Sequence, residues 1–281
     1  MRTKTFKSVL KNYKAVFLDS YGVIKNHAGL IPNVQDAIDH IRLMGMPMRV
    51  LTNDASRSPE LLAQKFEKAG LRGIKAKEII TSGKMAKEYL LNKGKKGKVA
   101  YLGTKNSAEY IRDAELEPIS ISKVNESNMH EISAVVFLDD EGYDWNTDLN
   151  TTVNLLRNYE IPGIVANSDM IYPVSKNNVA IATGGIAKLV ENILGREFIH
   201  YGKPDSQMFM YGFEQVNKIG NFKRKDILMV GDTLHTDILG GNKFGISTAL
   251  VFTGNTSADE AQIKIKATGV IPDYVCKSIV E

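Results

Sequence analysis

Cysteine is almost absent: Cys276 is the single thiol in 281 residues. One thiol excludes an internal disulfide framework and a cysteine-built metal site, and it suits a reducing compartment. Long apolar runs are lacking as well. The basic stretch from Met1 to Lys14 is followed only by Ala15 to Leu18, which Asp19 interrupts, so neither a signal peptide nor a membrane span is expected and the location reads as cytoplasmic. Charge is close to balanced, with 36 basic and 32 acidic residues giving +4, too weak an excess to argue for a nucleic-acid partner. The densest basic run, Lys93 to Lys98, carries two glycines and reads as a solvated turn. The histidines His27, His40, His130, His200 and His235 have no zinc-ligand spacing, and no serine sits in G-x-S-x-G, which leaves a Ser-His-Asp enzyme unsupported.

What is present is a rhythm. Hydrophobic residues make up 43% of the chain, enough for one large or two modest domains. Short apolar runs repeatedly precede a polar or glycine turn and then a helical pattern, as in βα units around a parallel sheet. Four such runs end in polar residues: Ala15 to Leu18 at Asp19, Arg49 to Leu51 at Thr52 and Asn53, Phe198 to Tyr201 at Gly202 and Lys203, and Ile227 to Val230 at Gly231 and Asp232. In open α/β sheets ligands bind beyond the carboxyl ends of strands, so these ends are expected to converge on one crevice of one sheet. Ser58 with Pro59 predicts a helix start closed by Gly70; Asn33 predicts a cap for Val34 to Ile41; a third helix is expected from Thr236 or Asp237 to Gly245. The predicted architecture is α/β: a three-layer, Rossmann-like parallel-sheet core over residues 1–83 and 187–281, with a smaller α/β cap domain inserted over 84–186. That insert has signals of its own at Val99 to Leu102, Ala134 to Leu138, Thr147 to Asn158 and Ile164 to Ala166. Gly184-Gly185 lacks the G-x-G-x-x-G pattern and is read as a tight interdomain turn.

Each strand end has an ordinary reading and a chemical one. Asp19 can be turn chemistry or a carboxylate nucleophile, with Gly22 letting the backbone turn tightly around a substrate. Asp232 and Asp237, five apart, can be capping acids, or Asp232 can join Asp19 in holding a hard cation while Asp237 orients its loop. Thr52 and Asn53 suit phosphate oxygens, and Lys203 supplies a positive point charge. A nucleophile, a hydroxyl, a lysine and a metal-binding acid at successive βα junctions argue together more strongly than any one does.

In this order the motifs resemble the haloacid dehalogenase superfamily: Asp19-Ser20-Tyr21-Gly22-Val23, Leu51-Thr52-Asn53, Gly202-Lys203-Pro204, and Gly231-Asp232-Thr233 through Asp237. The insert, with Ala166-Asn167-Ser168-Asp169, is similar to that of the nitrophenylphosphatase and N-acetylglucosamine-phosphate phosphatase branch. The resemblance implies a magnesium-dependent phosphatase of a small phosphorylated metabolite, of sugar-phosphate or aryl-phosphate type. In it Asp19 forms an aspartyl-phosphate, Thr52 and Lys203 stabilise the transferring group, and Mg2+ is held by Asp19, Asp232 and the backbone carbonyl of Tyr21. Gly22, Asn53, Asp54, Asn167 and Asp169 are the expected substrate contacts, with Gly231, Thr233 and Asp237 in support. Cap closure is expected about hinges near Gly83 and Gly184-Gly185, and a cap surface offers itself for a homodimer.

Tyr21 departs from the pattern. It stands where phosphatases of the family carry a second aspartate that protonates the leaving group and then activates water. A phenol of pKa about 10 is a poor base at neutral pH, and loss of acid–base help slows turnover by about 10²–10⁴. The D-x-Y-G pattern also resembles the first motif of 2-haloacid dehalogenases, which leaves Asp232 and Asp237 unexplained. A non-catalytic protein that binds a phosphorylated metabolite is the third reading. Asp139, Asp144, Trp145 and Asn167 are open between facing the crevice and packing the insert.

Overall fold

The computed structural model describes residues 2–175 and 178–281. Its main sheet has six strands in the order Tyr274–Cys276, Ser247–Val251, Ile227–Gly231, Ala15–Leu18, Met48–Thr52 and Ile79–Thr81. Every neighbouring pair is parallel. The four residues Ala15–Leu18 are all buried, as expected of a central strand covered on both faces. Val16 and Leu18 pack with Ile38, Ile41, Leu62 and Phe66 from helices Val34–Leu43 and Pro59–Lys68. Ala15 and Phe17 face the other way, onto Met208 and Phe209 of Ser206–Asn217 and Phe244 of Leu239–Phe244. Alternation along one strand thus builds the three-layer α/β core that the sequence predicts.

A second parallel sheet has the order Ile199–His200, Gly163–Val165, Ile132–Phe137, Lys98–Leu102 and Glu117–Ser120. Here the structure corrects an expectation. The Phe198 to Tyr201 run was expected in the main sheet, but it forms the edge of the second. The reason is packing: Phe198 stacks on Phe137 with ring centroids 5.5 Å apart, and only a glycine at 163 leaves room for the Phe198 ring. The expected junction at 186/187 falls inside helix Thr183–Leu194, whose Ile186, Ala187 and Val190 pack with Phe137 and Val165 of the second sheet. We propose that the inserted unit runs from about 84 to about 201.

Local signals hold unevenly. Ser58 Oγ accepts from the Leu61 N–H at 3.3 Å with Pro59 as the first helical residue, as predicted. Asn33 precedes its helix in a left-handed conformation, φ 62°, and its side chain makes no capping bond. The third helix begins as a π-helical turn, Leu234–Ile238, before Leu239–Phe244 ends at Gly245. Neither expected hinge is a free turn: Gly83 and Gly184 each lie in the first turn of a helix, Gly83 where any side chain would meet the Tyr110 ring.

Candidate active site

The three central strands of the main sheet end side by side. Just beyond Ala15–Leu18, the Asp19 N–H is held by the Val230 carbonyl at 2.9 Å, and its Oδ1 accepts from the Ser20 N–H at 2.6 Å. Beyond Ile227–Gly231 come Asp232 and, one turn later, Asp237, both fully buried. One carboxylate oxygen from each of Asp19, Asp232 and Asp237 lies within 4.8 Å of the others. Lys203 Nζ sits 2.6 Å from Asp19 Oδ1 and 2.7 Å from Asp237 Oδ1, with only 2% of its side chain exposed. The lysine reaches this cluster from the edge strand of the second sheet, so both sheets build the site. Two glycines make the crowding possible: a Cβ on Gly22, φ +75°, would overlap Asp232, and a Cβ on Gly231 would overlap Asp237.

Asn53 locks the parts together. Its Oδ1 accepts from the Lys203 N–H at 2.7 Å, and its Nδ2 donates to the Lys203 carbonyl and to Asp169 Oδ1, both at 2.9 Å. Thr52 Oγ1 accepts from the Asp54 N–H at 3.2 Å, and Asp54 Oδ1 accepts from the Ser56 N–H and hydroxyl. Asn167 Oδ1 accepts from the Asp169 N–H at 2.9 Å. Thr233 receives the Asn255 amide and offers its own N–H to Asp237 Oδ2 at 3.1 Å. Asp19, Tyr21, Thr52, Asn53, Asp54, Asn167, Asp169, Lys203 and Thr233 border one cavity of about 1210 Å3 between the sheets. Of the open cases, Asp139 and Asn167 line it. Asp144 instead accepts from the Thr147 N–H and hydroxyl, and the Trp145 indole donates to the Asp140 carbonyl.

One side of the site escaped the sequence reading. After Ser247–Val251 the chain returns through Thr253, Gly254 and Asn255. Thr253 Oγ1 donates to the Gly22 carbonyl, the Asn255 N–H donates to Asp232 Oδ2, and a Cβ on Gly254 would overlap Asp232. The apolar run Ala249 to Val251 before Thr253-Gly254 repeats the rhythm of the other strand ends and is the signal that marks it.

This geometry has a close counterpart. A crystal structure of a possible sugar phosphatase of the HAD superfamily from Cytophaga hutchinsonii is 51% identical over 100% of this chain and 99% of that one, with a TM-score of 0.97. The chain belongs to the haloacid dehalogenase-like hydrolase superfamily. A model described as haloacid dehalogenase-like hydrolase matches residues 16–117 of this hydrolase, and a second HAD-hydrolase-like model matches 200–281. Phosphoglycolate phosphatase 2 of Arabidopsis thaliana is 29% identical over 99% of this chain and 95% of its own length. A glycerol phosphate phosphatase of Mycobacterium tuberculosis, solved in complex with magnesium, shares the fold at TM-score 0.78 and 21% identity, covering 96% of this chain and 77% of that one.

The charges in this hydrolase's site are out of balance. Burial, and then the Asp237 carboxylate, push Asp19 well above the usual carboxylate range although Lys203 pulls it back. The same two causes push Asp232 up to about 7 against the Asn255 N–H. Burial alone would lower Lys203, but Asp19 and Asp237 together hold it above its ordinary value. Three buried carboxylates facing one ammonium, with oxygen donors only, fit a hard divalent cation, which would remove the repulsion among the acids.

Proposed function

We propose that this hydrolase is a magnesium-dependent phosphatase that acts on a small phosphorylated metabolite through an aspartyl-phosphate on Asp19. The observation that carries the reading is the buried lysine ion-paired with both Asp19 and Asp237 beside Asp232. A carboxylate nucleophile must approach an anionic phosphate, and the site supplies what that approach requires. Magnesium held by Asp19, Asp232 and the Tyr21 carbonyl would supply charge that offsets the repulsion and draws off electron density from phosphorus. An Asp19 oxygen attacks phosphorus while the bond to the leaving oxygen breaks. Lys203 and the Thr52 hydroxyl carry charge that grows on the phosphoryl oxygens. A water then attacks the acyl phosphate, returning Asp19 and releasing inorganic phosphate. The cavity is larger than a phosphate group needs, and its second-sheet wall would take the organic part of the substrate.

Tyr21 does not suit the second half of this cycle. Its hydroxyl donates to the Pro173 carbonyl at 3.0 Å, and burial raises its pKa further, so it holds its proton. Hydrolysis of the aspartyl-phosphate is therefore slow, and transfer to Asp19 is fastest from aryl or acyl phosphates, whose leaving groups need less protonation. The same pinned phenol favours a second reading, a phosphometabolite-binding protein without turnover. The dehalogenase reading leaves Asp232 and Asp237 without a task. No helix among the described residues is long and apolar enough to cross a membrane; a cytoplasmic location rests on the lone cysteine. Phosphate release from aryl, acyl and sugar phosphates with and without magnesium separates the readings. Magnesium-dependent release lost in Asp19→Asn supports the phosphatase, whereas ligand-dependent thermal stabilisation with no release selects the binding protein.

A further inference from the structure

Tyr21 lies two residues from Asp19, and the proposed chemistry gives its side chain no step. Its hydroxyl instead crosses to the inserted unit. The acceptor, Pro173, ends the strand Ile171–Pro173, which pairs antiparallel with Val179–Ile181 and borders the cavity. Four residues earlier the same segment is gripped again, by Asn53 Nδ2 on Asp169 Oδ1. Residues 169 to 173 are thus fastened to the main sheet's loops at both ends, once beside the nucleophile and once beside Lys203.

The outer side of this segment is fixed too. The Gly184 N–H donates to the Asp169 carbonyl and the Ala182 N–H to the Met170 carbonyl, each at 3.0 Å. A Cβ on Gly184 would lie 2.6 Å from the Ser168 carbonyl, and one on Gly185 would lie 2.7 Å from the Met170 carbonyl oxygen. The glycine pair therefore lets the segment lie flat on helix Thr183–Leu194. Tyr172 adds a lateral tie, donating to Asp140 Oδ2 at 2.9 Å.

We propose that Tyr21 is a positioning residue: with Asn53 it clamps residues 169–173 over the phosphate site and holds the inserted unit closed. The proposal rests on reading the Asp19 cluster as that phosphate site. An aspartate at 21 could not do this, because its carboxylate has no proton at neutral pH to give a carbonyl oxygen, and the two would repel. Closure and acid–base catalysis are alternatives at this position, and the phenol selects closure. The binding contribution of the roof then depends on the Tyr21 hydroxyl, while the bond-making steps at Asp19 do not.

The test is hydrogen exchange on the full chain with magnesium and inorganic phosphate, comparing native protein with Tyr21→Phe. Loss of one hydrogen bond is expected to speed exchange of the Ile171, Tyr172, Ala180 and Ile181 amides by about two- to tenfold, leaving Ile227–Gly231 unchanged. With an aryl phosphate, Tyr21→Phe should raise KM and leave kcat nearly unaltered. Unchanged exchange of these four amides, or a fall in kcat with KM constant, would overturn the clamp. The exchange readout needs no turnover, so a native chain that releases no phosphate would sink the phosphatase reading while the clamp is still judged on exchange.

Discussion

Lys203 shows what one side chain does at this site. It is buried with two carboxylates as partners, so removing it leaves their charge uncompensated, a change worth about 3–5 kcal/mol of stability. In the proposed reaction it also removes a preformed positive charge aimed at the phosphoryl group, worth about 10²–10³ in turnover. Lys203→Ala should therefore lower the denaturation midpoint and phosphate release together; a variant as stable as the native chain would show that the ion pairs contribute little. Lys203, Asp19 and Asp232 were legible in the sequence because each is a polar residue closing an apolar run. Gly254 and Asn255 carry the weaker signal of the apolar run Ala249 to Val251 alone, since what singles them out is contact with Asp232 and Thr233, residues some twenty positions earlier in the chain. Asn53 was expected to touch substrate; both donors of its amide are used to hold Lys203 and Asp169, which points to a positioning role.

Elements were easier to recognise than their partners. Buried strands and the Ser58 helix start follow from local sequence. The sheet that Phe198 to Tyr201 joins depends on the Phe198–Phe137 stack and on Gly163, residues far apart in the chain. Gly184-Gly185 reads locally as a turn, yet it opens a helix, because what demands glycine there is the segment laid across it. The strand Ile132–Phe137 carries a testable consequence at its end. Asp139, two residues beyond it, is pushed up to about 7 by burial and by the Asp140 and Asp54 carboxylates. A folded-state pKa above the unfolded value means that the folded chain keeps a proton the unfolded chain releases. Stability from this group is thus full below about pH 4 and lost as pH rises towards 7. Asp139→Asn should remove that slope, so denaturant midpoints of variant and native chain should diverge in the variant's favour from pH 4 to 8. Parallel curves would show that Asp139 titrates normally.

The whole molecule sets two sheets against one cavity: the main sheet brings Asp19, Asp232 and Asp237, and the second brings Lys203 and the segment 169–173. Lys203 follows the edge strand of the second sheet, and residues 169–173 border the cavity from the inserted unit, so in the proposed reaction the placement of that unit bears on the chemistry, and the Tyr21 hydroxyl joins the two halves. In the proposed cycle Asp19 accepts the phosphoryl group, and hydrolysis of the aspartyl-phosphate lacks a base. Rapid mixing of the magnesium-loaded chain with excess aryl phosphate tests both parts at once. The account predicts a burst of phenol near one equivalent of protein, then a slow steady rate, with the burst absent in Asp19→Asn and the steady rate raised in Tyr21→Asp. Phenol release that is absent from the native chain, or that persists in Asp19→Asn, would contradict it.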